Sequence, residues 1–389
     1  MNYLMFINQI KECMQQPPQV RFLVSGSDPV IQKAVLKDVL SGCRRRDEAV
    51  IIVDDTENTV DLDTVSAAGY QIKNGMSGAY CLYNPFQITT TKGITRIRQI
   101  LKTLEYDEKQ KGKLISYLNF IRHLELIGNE NRNFELTLEK LGEYCTVLAV
   151  EEKLKNYVEE GFISERQRDM LLRKYSECAE AGADLEDMFF LLMPYIHGTD
   201  LMRHCNRDKA FVFRTGELGE DETARSLVMQ LLQFGLEENS GNNVTVLVFD
   251  KGYGSRSCVF NLLKSLTSKV QLHVFSTDIF TLCDAPSLSM IMNRFPARVY
   301  GHHLVMSSAE SIEKICGEID VPKFQKTIAY DRRLMANTPW DILLGNNKTE
   351  AYMEMAAVRE PRYRKEMILS FPMGSGIVEF MGNTSVFAV

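Results

Sequence analysis

The pattern of apolar and polar residues predicts a strand, a turn, a helix and a second strand near the start of the chain. Residues 21–25 are a short β-rich run, and the turn Gly26-Ser27-Asp28-Pro29 follows it. Residues 30–40 carry apolar side chains at helical spacing, so the turn places an aspartate at the N-cap and a proline in the first helical turn. A strand at 49–53 then ends in Asp54-Asp55. This order predicts a βαβ unit whose first loop lies at the carboxyl end of a buried strand.

The pattern changes between about residues 91 and 202, where apolar residues recur at every third or fourth position, as in helices. Strand patterns return afterwards, and we expect strands at 210–213, 244–249, 270–275 and 297–300, helices at 223–236 and 257–266, and a closing hairpin of 367–371 with 376–380. We therefore expect an α/β domain in two parts, residues 1–90 and 206–389, with an all-α insertion at 91–205 between them.

Composition and charge narrow the class of protein. The chain has 389 residues, 45% of them hydrophobic and 25% charged, which is typical of a globular protein. Its net charge of −6 does not favour electrostatic binding of bare DNA, because phosphate binding needs a basic surface. The nine cysteines form no CxxC pair, which fits reduced thiols in the cytosol. The start of the chain is typical of an amphipathic helix that stops at Pro17-Pro18, and the longest apolar runs, such as 188–193, are too short to cross a bilayer, so we expect a cytoplasmic protein.

The turn after the first strand is an incomplete phosphate loop. An active loop needs GxxxxGK[ST], in which the glycines let backbone N–H groups surround the phosphates, the lysine supplies charge and the hydroxyl holds magnesium. Gly26 and Ser27 begin such a stretch, but Ile31 stands at the second glycine position, Gln32 at the lysine position and Lys33 at the hydroxyl position. Lys33, one place late, would restore some charge but not the glycine geometry.

A second element of nucleotide hydrolysis is also incomplete. The apolar strand at 244–249 ends in Asp250, an acid suited to magnesium, but Lys251 stands where a catalytic glutamate is expected. From these residues alone two interpretations stay open: an eroded ATPase site, or a turn glycine and an acid that caps a strand. We interpret the adjacent histidines His302-His303 as solvated loop residues, and His197, His204 and Cys205 have no standard zinc spacing.

The order of these motifs resembles the type IV secretion coupling proteins, the TraG/TraD class of conjugative ATPases. The resemblance is carried by the phosphate-loop-like turn, the strand that ends in Asp250 and the intervening helical segment, together with four short motifs: Tyr83-Asn84-Pro85, Phe275-Ser276-Thr277, Asn293 to Phe295 and Ser307 to Ile319. It implies a RecA-like P-loop NTPase sheet flanked by helices, with an inserted all-α domain. It also implies partners in a ring-forming ATPase assembly that recruits DNA or protein to a secretion channel.

Carried over by position, the resemblance makes Gly26 to Lys33 the phosphate loop, Asp250 the acid on the magnesium side and Phe275 to Thr277 the sensor strand. We therefore take Gly26, Ser27, Lys33, Asp250 and Thr277 as the degenerate nucleotide site, with no catalytic residue and no resident metal. The chain departs from the family in lacking an N-terminal membrane anchor, the Gly-Lys-Ser/Thr of the loop and the second acid.

Three functions follow as hypotheses. The first is a non-hydrolysing ATPase-like subunit or adaptor of a secretion or conjugation apparatus, which acts through protein contacts, homo-oligomer formation included. The second is a divergent active ATPase that uses Lys33 and acids from elsewhere, with ATP and magnesium as cofactors; the first needs neither. The third is a DNA-binding accessory protein of a mobile element, which the net charge of −6 does not favour.

Overall fold

A computed structural model of the chain describes residues 21–56, 60–86, 91–128, 144, 146–205, 207–218, 222–238, 244–250, 270–281, 285–331, 349–380 and 382–389. Three of the predictions lie outside the described residues: the helix that ends at Pro17-Pro18, the helix at 257–266, and the position of Lys251.

The strands are, in chain order, β1 Phe22–Ser25, β2 Ala49–Asp54, β3 Gln71–Asn74, β4 Tyr80–Cys81, β5 Thr199–Asp200, β6 Lys209–Phe213, β7 Val244–Asp250, β8 Gln271–Ser276, β9 Ala297–Tyr300, β10 Glu318–Asp331, β11 Thr349–Pro361, β12 Ser375–Phe380 and β13 Asn383–Ala388. Nine of them form one sheet in the order β13-β12-β9-β1-β8-β7-β2-β6-β3. From β9 to β3 all neighbours run parallel, whereas β12 pairs antiparallel with both β9 and β13. Two smaller sheets pair β4 with β5 and β10 with β11.

The helices are α1 Pro29–Arg45, α2 Leu62–Ala67, α3 Thr91–Thr103, α4 Glu108–Gly128, α5 Val147–Glu159, α6 Glu165–Cys178, α7 Ala181–Ile196, α8 Leu201–His204, α9 Glu222–Glu238, α10 Ala285–Met292, α11 Met306–Cys316 and α12 Lys365–Leu369. Short 3₁₀ turns lie at Thr215–Leu218 and Ile279–Thr281. Helices α3 to α7 follow one another between β4 and β5, where the sequence predicts helices.

The central strands are covered on both faces, which explains their nearly continuous apolar sequences. Every residue of β2 is buried. Its Ile51 and Val53 belong to one hydrophobic core, shared with α9 and the helices α3 to α7. Val50 and Ile52 belong to a second core, to which α1 contributes its apolar side chains. The two cores arise because successive side chains of a strand point to opposite faces.

Arg96 of α3 adds polar contacts between the helical segment and the helix α9 that covers the sheet. Its guanidinium lies 4.5 Å from the ring centroid of Tyr83 and 4.9 Å from that of Phe234 in α9. An ion pair of 2.7 Å joins it to Glu238. Tyr83 is the first residue of the Tyr83-Asn84-Pro85 motif, so this motif takes part in holding the helices against the sheet.

Two parts of the C-terminal region differ from the prediction. Residues 365–369 form α12, so the predicted strand at 367–371 is wrong; the closing hairpin joins β12 to β13 instead. The long ribbon of β10 and β11 has no counterpart in the prediction. Residues 351–357 read AYMEMAA, whose alanine, methionine and glutamate favour helices, and the cross-strand pairing outweighs this weak local preference.

Candidate functional site

The carboxyl ends of three adjacent strands bring most of the predicted site residues to one edge of the sheet. The N–H of Gly26, just after β1, donates to the carbonyl of Ser276 at the end of β8, at 3.0 Å. The N–H of Thr277 donates to the carbonyl of Asp250 at the end of β7, at 3.1 Å. Gly26, Ser27, Asp250 and Thr277 therefore lie at the same edge, as their positions after parallel strands predict.

Gly26 is needed for close backbone packing. Its φ is +136°, and a Cβ there would lie 3.0 Å from the backbone of Gly301 and of His302. The N–H of Ser27 donates to the His302 carbonyl at 3.1 Å, and the Ser27 hydroxyl donates to the same oxygen at 3.4 Å. The loop after β9 therefore uses the donors that a phosphate loop offers to its ligand.

The carboxylate of Asp28 occupies the N-terminus of α1. Its Oδ1 accepts hydrogen bonds from the N–H of Val30 at 2.9 Å and from the N–H of Ile31 at 3.3 Å. Its Oδ2 accepts from the N–H of Gly374, in the loop before β12, at 2.6 Å. Asp28 is 2% exposed. Helix N-termini bind anions because unpaired N–H groups and the helix dipole converge there, and here a side chain of the protein supplies the anion.

The remaining positions of the loop are also filled. The Ile31 side chain is 1% exposed and its Cδ1 lies against Gly301, so the position of the second loop glycine belongs to the core. The Gln32 amide donates to the carbonyl of Gly26 at 2.9 Å, which closes the turn from the other side. The side chains of Ile31 and Gln32, together with the loop after β9, therefore hold the backbone around Gly26.

Lys33 does not join the other predicted residues. Its ammonium lies 2.7 Å from Oδ2 of Asp61, the N-cap residue of α2. This hydrogen-bonded pair raises the pKa of Lys33 and lowers the pKa of Asp61. The residue that sequence reasoning expects to restore charge at the loop is thus engaged on the outer side of α1.

A group of buried acids follows β2 and β7. The carboxylate of Asp250, 3% exposed, accepts from the Ser276 hydroxyl at 3.4 Å. On the neighbouring strand, burial raises the pKa of Asp54, which accepts from the N–H and the hydroxyl of Thr56.

Asp55, next to Asp54, accepts from the Thr215 hydroxyl at 2.9 Å and forms a 2.5 Å ion pair with Arg225 of α9. The sequence shows Asp54-Asp55 at a strand end, but nothing local reveals the partner on α9. Among the described residues no group of three or more His, Cys, Asp or Glu could hold a metal ion.

The histidines after β9 correct a further prediction. His303 is 1% exposed, so it is a buried residue and the interpretation as a solvated loop residue is wrong. Within the described residues neither of its ring nitrogens has a hydrogen-bond partner. Burial lowers the pKa of His303, although Oδ1 of Asp278 lies 3.8 Å from Nδ1. It is buried because the β9 loop folds inward onto the turn after β1.

Comparisons with known proteins give a fold. No family model matches the chain, and no curated protein matches it by sequence. A solved structure that is similar to it is the unbound monoclinic form of the bacterial conjugative coupling protein TrwBdeltaN70, with a TM-score of 0.52, 12% sequence identity, and coverage of 98% of this chain and 91% of that chain. This chain has the same RecA-like fold. The mixed sheet, flanked by helices on both faces, agrees with the predicted fold class.

Two other solved structures match with lower scores. VirB4 of Thermoanaerobacter pseudethanolicus has a TM-score of 0.49 at 13% identity, with 95% of this chain and 89% of that chain covered. The plasmid coupling protein TrwB in complex with ADP and Mg²⁺ has a TM-score of 0.48 at 12% identity, with 95% and 84% covered. No described helix of this chain is both long and apolar enough to span a membrane.

The residues at the sheet edge do not fit a nucleotide phosphate with magnesium. A phosphate at the N-terminus of α1 would meet the Asp28 carboxylate, which already accepts from Val30, Ile31 and Gly374. The turn N–H groups of Gly26 and Ser27 already donate to Ser276 and His302. The lysine of the loop, Lys33, lies away from this point, with its ammonium 2.7 Å from Asp61.

Proposed function

We propose that this chain is a catalytically degenerate P-loop ATPase-like protein that acts as a subunit or adaptor in a type IV secretion or conjugative DNA transfer apparatus. The observation that carries the proposal is the hydrogen bonding of the Asp28 carboxylate at the N-terminus of α1. Its carboxylate accepts three backbone N–H groups, two from the start of α1 and one from Gly374, where a nucleotide phosphate would need them. The fold is kept while its anion site serves internal packing.

The secretion or conjugation role rests on the shared fold and on the resemblance of the motifs. The fold is similar to that of a conjugative coupling protein over 98% of this chain. In this proposal the sheet domain comprises 1–90 and 206–389, the helices of 91–205 form the insertion, and the protein acts in the cytoplasm. The Arg96 contacts to Tyr83 and Glu238 support a fixed placement of the insertion on the sheet domain.

A divergent active ATPase has less support from the site. That function needs a cation at the turn, and Lys33 is engaged by Asp61. It also needs acids that hold magnesium, and of the two acids Asp55 and Asp250 at this edge the first is neutralised by Arg225. DNA binding has no specific support, since the net charge is −6.

Nucleotide binding and turnover by the purified full-length chain test the degenerate site. We expect no magnesium-dependent binding of a fluorescent ATP analogue and no phosphate release above the rate of a blank without protein. Asp250→Asn, which removes the charge but keeps an acceptor for Ser276, should behave identically. Magnesium-dependent turnover in the natural protein that is lost in Asp250→Asn would contradict the proposal and establish a divergent ATPase.

Deletion of the protein in its host tests the secretion or conjugation role separately. We expect deletion to lower conjugative transfer or secretion, and both the natural chain and Asp250→Asn to restore it. Unchanged transfer and secretion after deletion would exclude the apparatus as its place of action. Restoration by the natural chain alone would show that the charge of Asp250 is used.

A further inference from the structure

The outermost strand β13 is an uncovered sheet edge within the described part of the chain. It pairs with β12 on one side and ends the nine-stranded sheet on the other. Strands at a sheet edge carry unpaired N–H and C=O groups that can pair with a further strand. This edge is therefore a candidate interaction surface, on a strand that ends beside the Gly374 loop.

The hairpin register identifies which main-chain groups point outward. β12 and β13 are joined by residues 381 and 382, and Phe380 pairs with Asn383. In a two-residue hairpin the closing pair is hydrogen-bonded, and hydrogen-bonded and non-hydrogen-bonded pairs then alternate. The N–H of Val389 donates to the Gly374 carbonyl at 2.8 Å, which agrees with inward bonding at the odd-numbered residues. The N–H and C=O groups of Thr384, Val386 and Ala388 therefore face outward.

The two edges of the sheet differ in how they are protected. At the opposite edge, β3 is only four residues long and carries Lys73, a charge of the kind that keeps edges from pairing. From Asn383 to Val389 the chain has no ionisable side chain, and valine, phenylalanine and threonine favour extended structure. Val386 is 40% exposed and Val389 is 54% exposed. Among the described residues, β13 carries no charge or proline of its own that would block another strand, and the one neighbouring cation, Arg362, donates to the Thr384 hydroxyl at 2.7 Å and not to the main chain.

We propose that β13 pairs antiparallel with β13 of a second copy of this chain, about a two-fold axis at Val386. The three outward residues are spaced evenly about Val386, so a second copy matches Val386 with Val386 and Thr384 with Ala388 in both directions. Such self-complementarity is what a two-fold interface requires. The pairing opposes no like charges, because this strand has none. It would join the two nine-stranded sheets into one continuous sheet.

Sedimentation of the full-length chain over a wide dilution series tests this interface. We expect the natural chain to form a dimer. Val386→Pro should raise the dissociation constant of the dimer at least about tenfold, because the proline ring removes one outward N–H from each copy. That N–H does not bond to β12, so the hairpin should still fold, which circular dichroism can verify. A proline at Ile72 would not serve as a control, because β3 bonds to β6. The matched variants are therefore Val386→Lys on β13 and Ile72→Lys on β3.

The two lysine variants place the same charge on opposite edges at residues of similar exposure, 36% for Ile72 and 40% for Val386. Val386→Lys should dissociate the dimer, since the two charges would oppose each other, and Ile72→Lys should leave it intact. As a direct readout, Val386→Cys should crosslink between copies beyond the natural chain's background, because paired Cα atoms are about 5.5 Å apart, within disulfide range.

A chain that stays monomeric throughout the dilution series would overturn the proposal. A dimer that survives both Val386→Pro and Val386→Lys would also overturn it, because the interface would then lie elsewhere. If β13 pairs with a strand of a different protein, the purified chain would be a monomer, and this result would contradict pairing with a second copy. None of these outcomes depends on nucleotide binding, so the dimer and the degenerate site succeed or fail separately.

Discussion

Replacing Asp28 by alanine should destabilise the protein through two separate losses. The first is the N-cap of α1, since Oδ1 accepts from the N–H of Val30 and of Ile31. Such a loss costs about 1 kcal/mol. The second is the acceptor for the buried N–H of Gly374, at 2.6 Å from Oδ2. Leaving a buried donor unsatisfied costs about 1–3 kcal/mol, so the free energy of unfolding should fall by about 2–4 kcal/mol.

Asp61 provides the matched control. It caps α2 by accepting from the N–H and the hydroxyl of Thr64, and it pairs with the exposed side chain of Lys33. Asp61→Ala should therefore cost only about 1 kcal/mol, the loss of a cap, because exposed ion pairs contribute little. The difference between the two variants measures the link from α1 to the Gly374 loop.

Urea unfolding followed by circular dichroism, with the slope of the transition held common, gives both free energies. Amide exchange at Gly374 gives an independent readout, and its protection should fall in Asp28→Ala alone. If Asp28→Ala costs no more than Asp61→Ala and leaves Gly374 protected, the carboxylate does not hold the C-terminal loop, and the reasoning that assigns it a packing role is refuted.

Two further predictions concern other buried groups. Arg96→Ala removes the guanidinium that contacts Tyr83, Phe234 and Glu238; it should cost about 2–3 kcal/mol and lower exchange protection in 91–128, whereas the exposed Arg98→Ala should change stability by less than about 0.5 kcal/mol. An equal loss of stability in Arg96→Ala and Arg98→Ala would contradict the role of Arg96 in these contacts. Burial, with Arg46 and Arg21, lowers the pKa of His273 to about 3. Below the usual histidine pKa of about 6.5, the His273 side chain is protonated in the unfolded chain but not in the folded chain. The free energy of unfolding therefore falls as the pH falls from about 6.5 towards 3. Between pH 7 and pH 5 the natural chain should lose about 2 kcal/mol more than His273→Gln, as urea titrations at both pH values would measure; parallel losses would show that His273 is charged when folded.

Local sequence determines the main elements of this protein. The buried strands β1, β2 and β7 are readable because both of their faces are covered, which leaves an apolar run with few interruptions. Asp28 at the N-cap is readable because capping depends on neighbours within three residues. The meeting of Gly26, Asp250 and Thr277 follows from parallel strands, whose carboxyl ends share an edge. The absence of a second loop glycine and a loop lysine is likewise a fact of sequence.

Only the tertiary structure decides which partners the polar groups of the turn after β1 take. The Gly374 donor lies 346 positions from Asp28, and the His302 acceptor lies 275 positions from Ser27, so no local pattern links them. Arg225 of α9 likewise finds Asp55 across 170 positions. The strand β11 forms against its own helix-favouring residues because it pairs with β10. Spacing along the chain fixes helices, strands and caps over a few residues; the partners of buried polar groups are fixed by where the fold brings distant segments together.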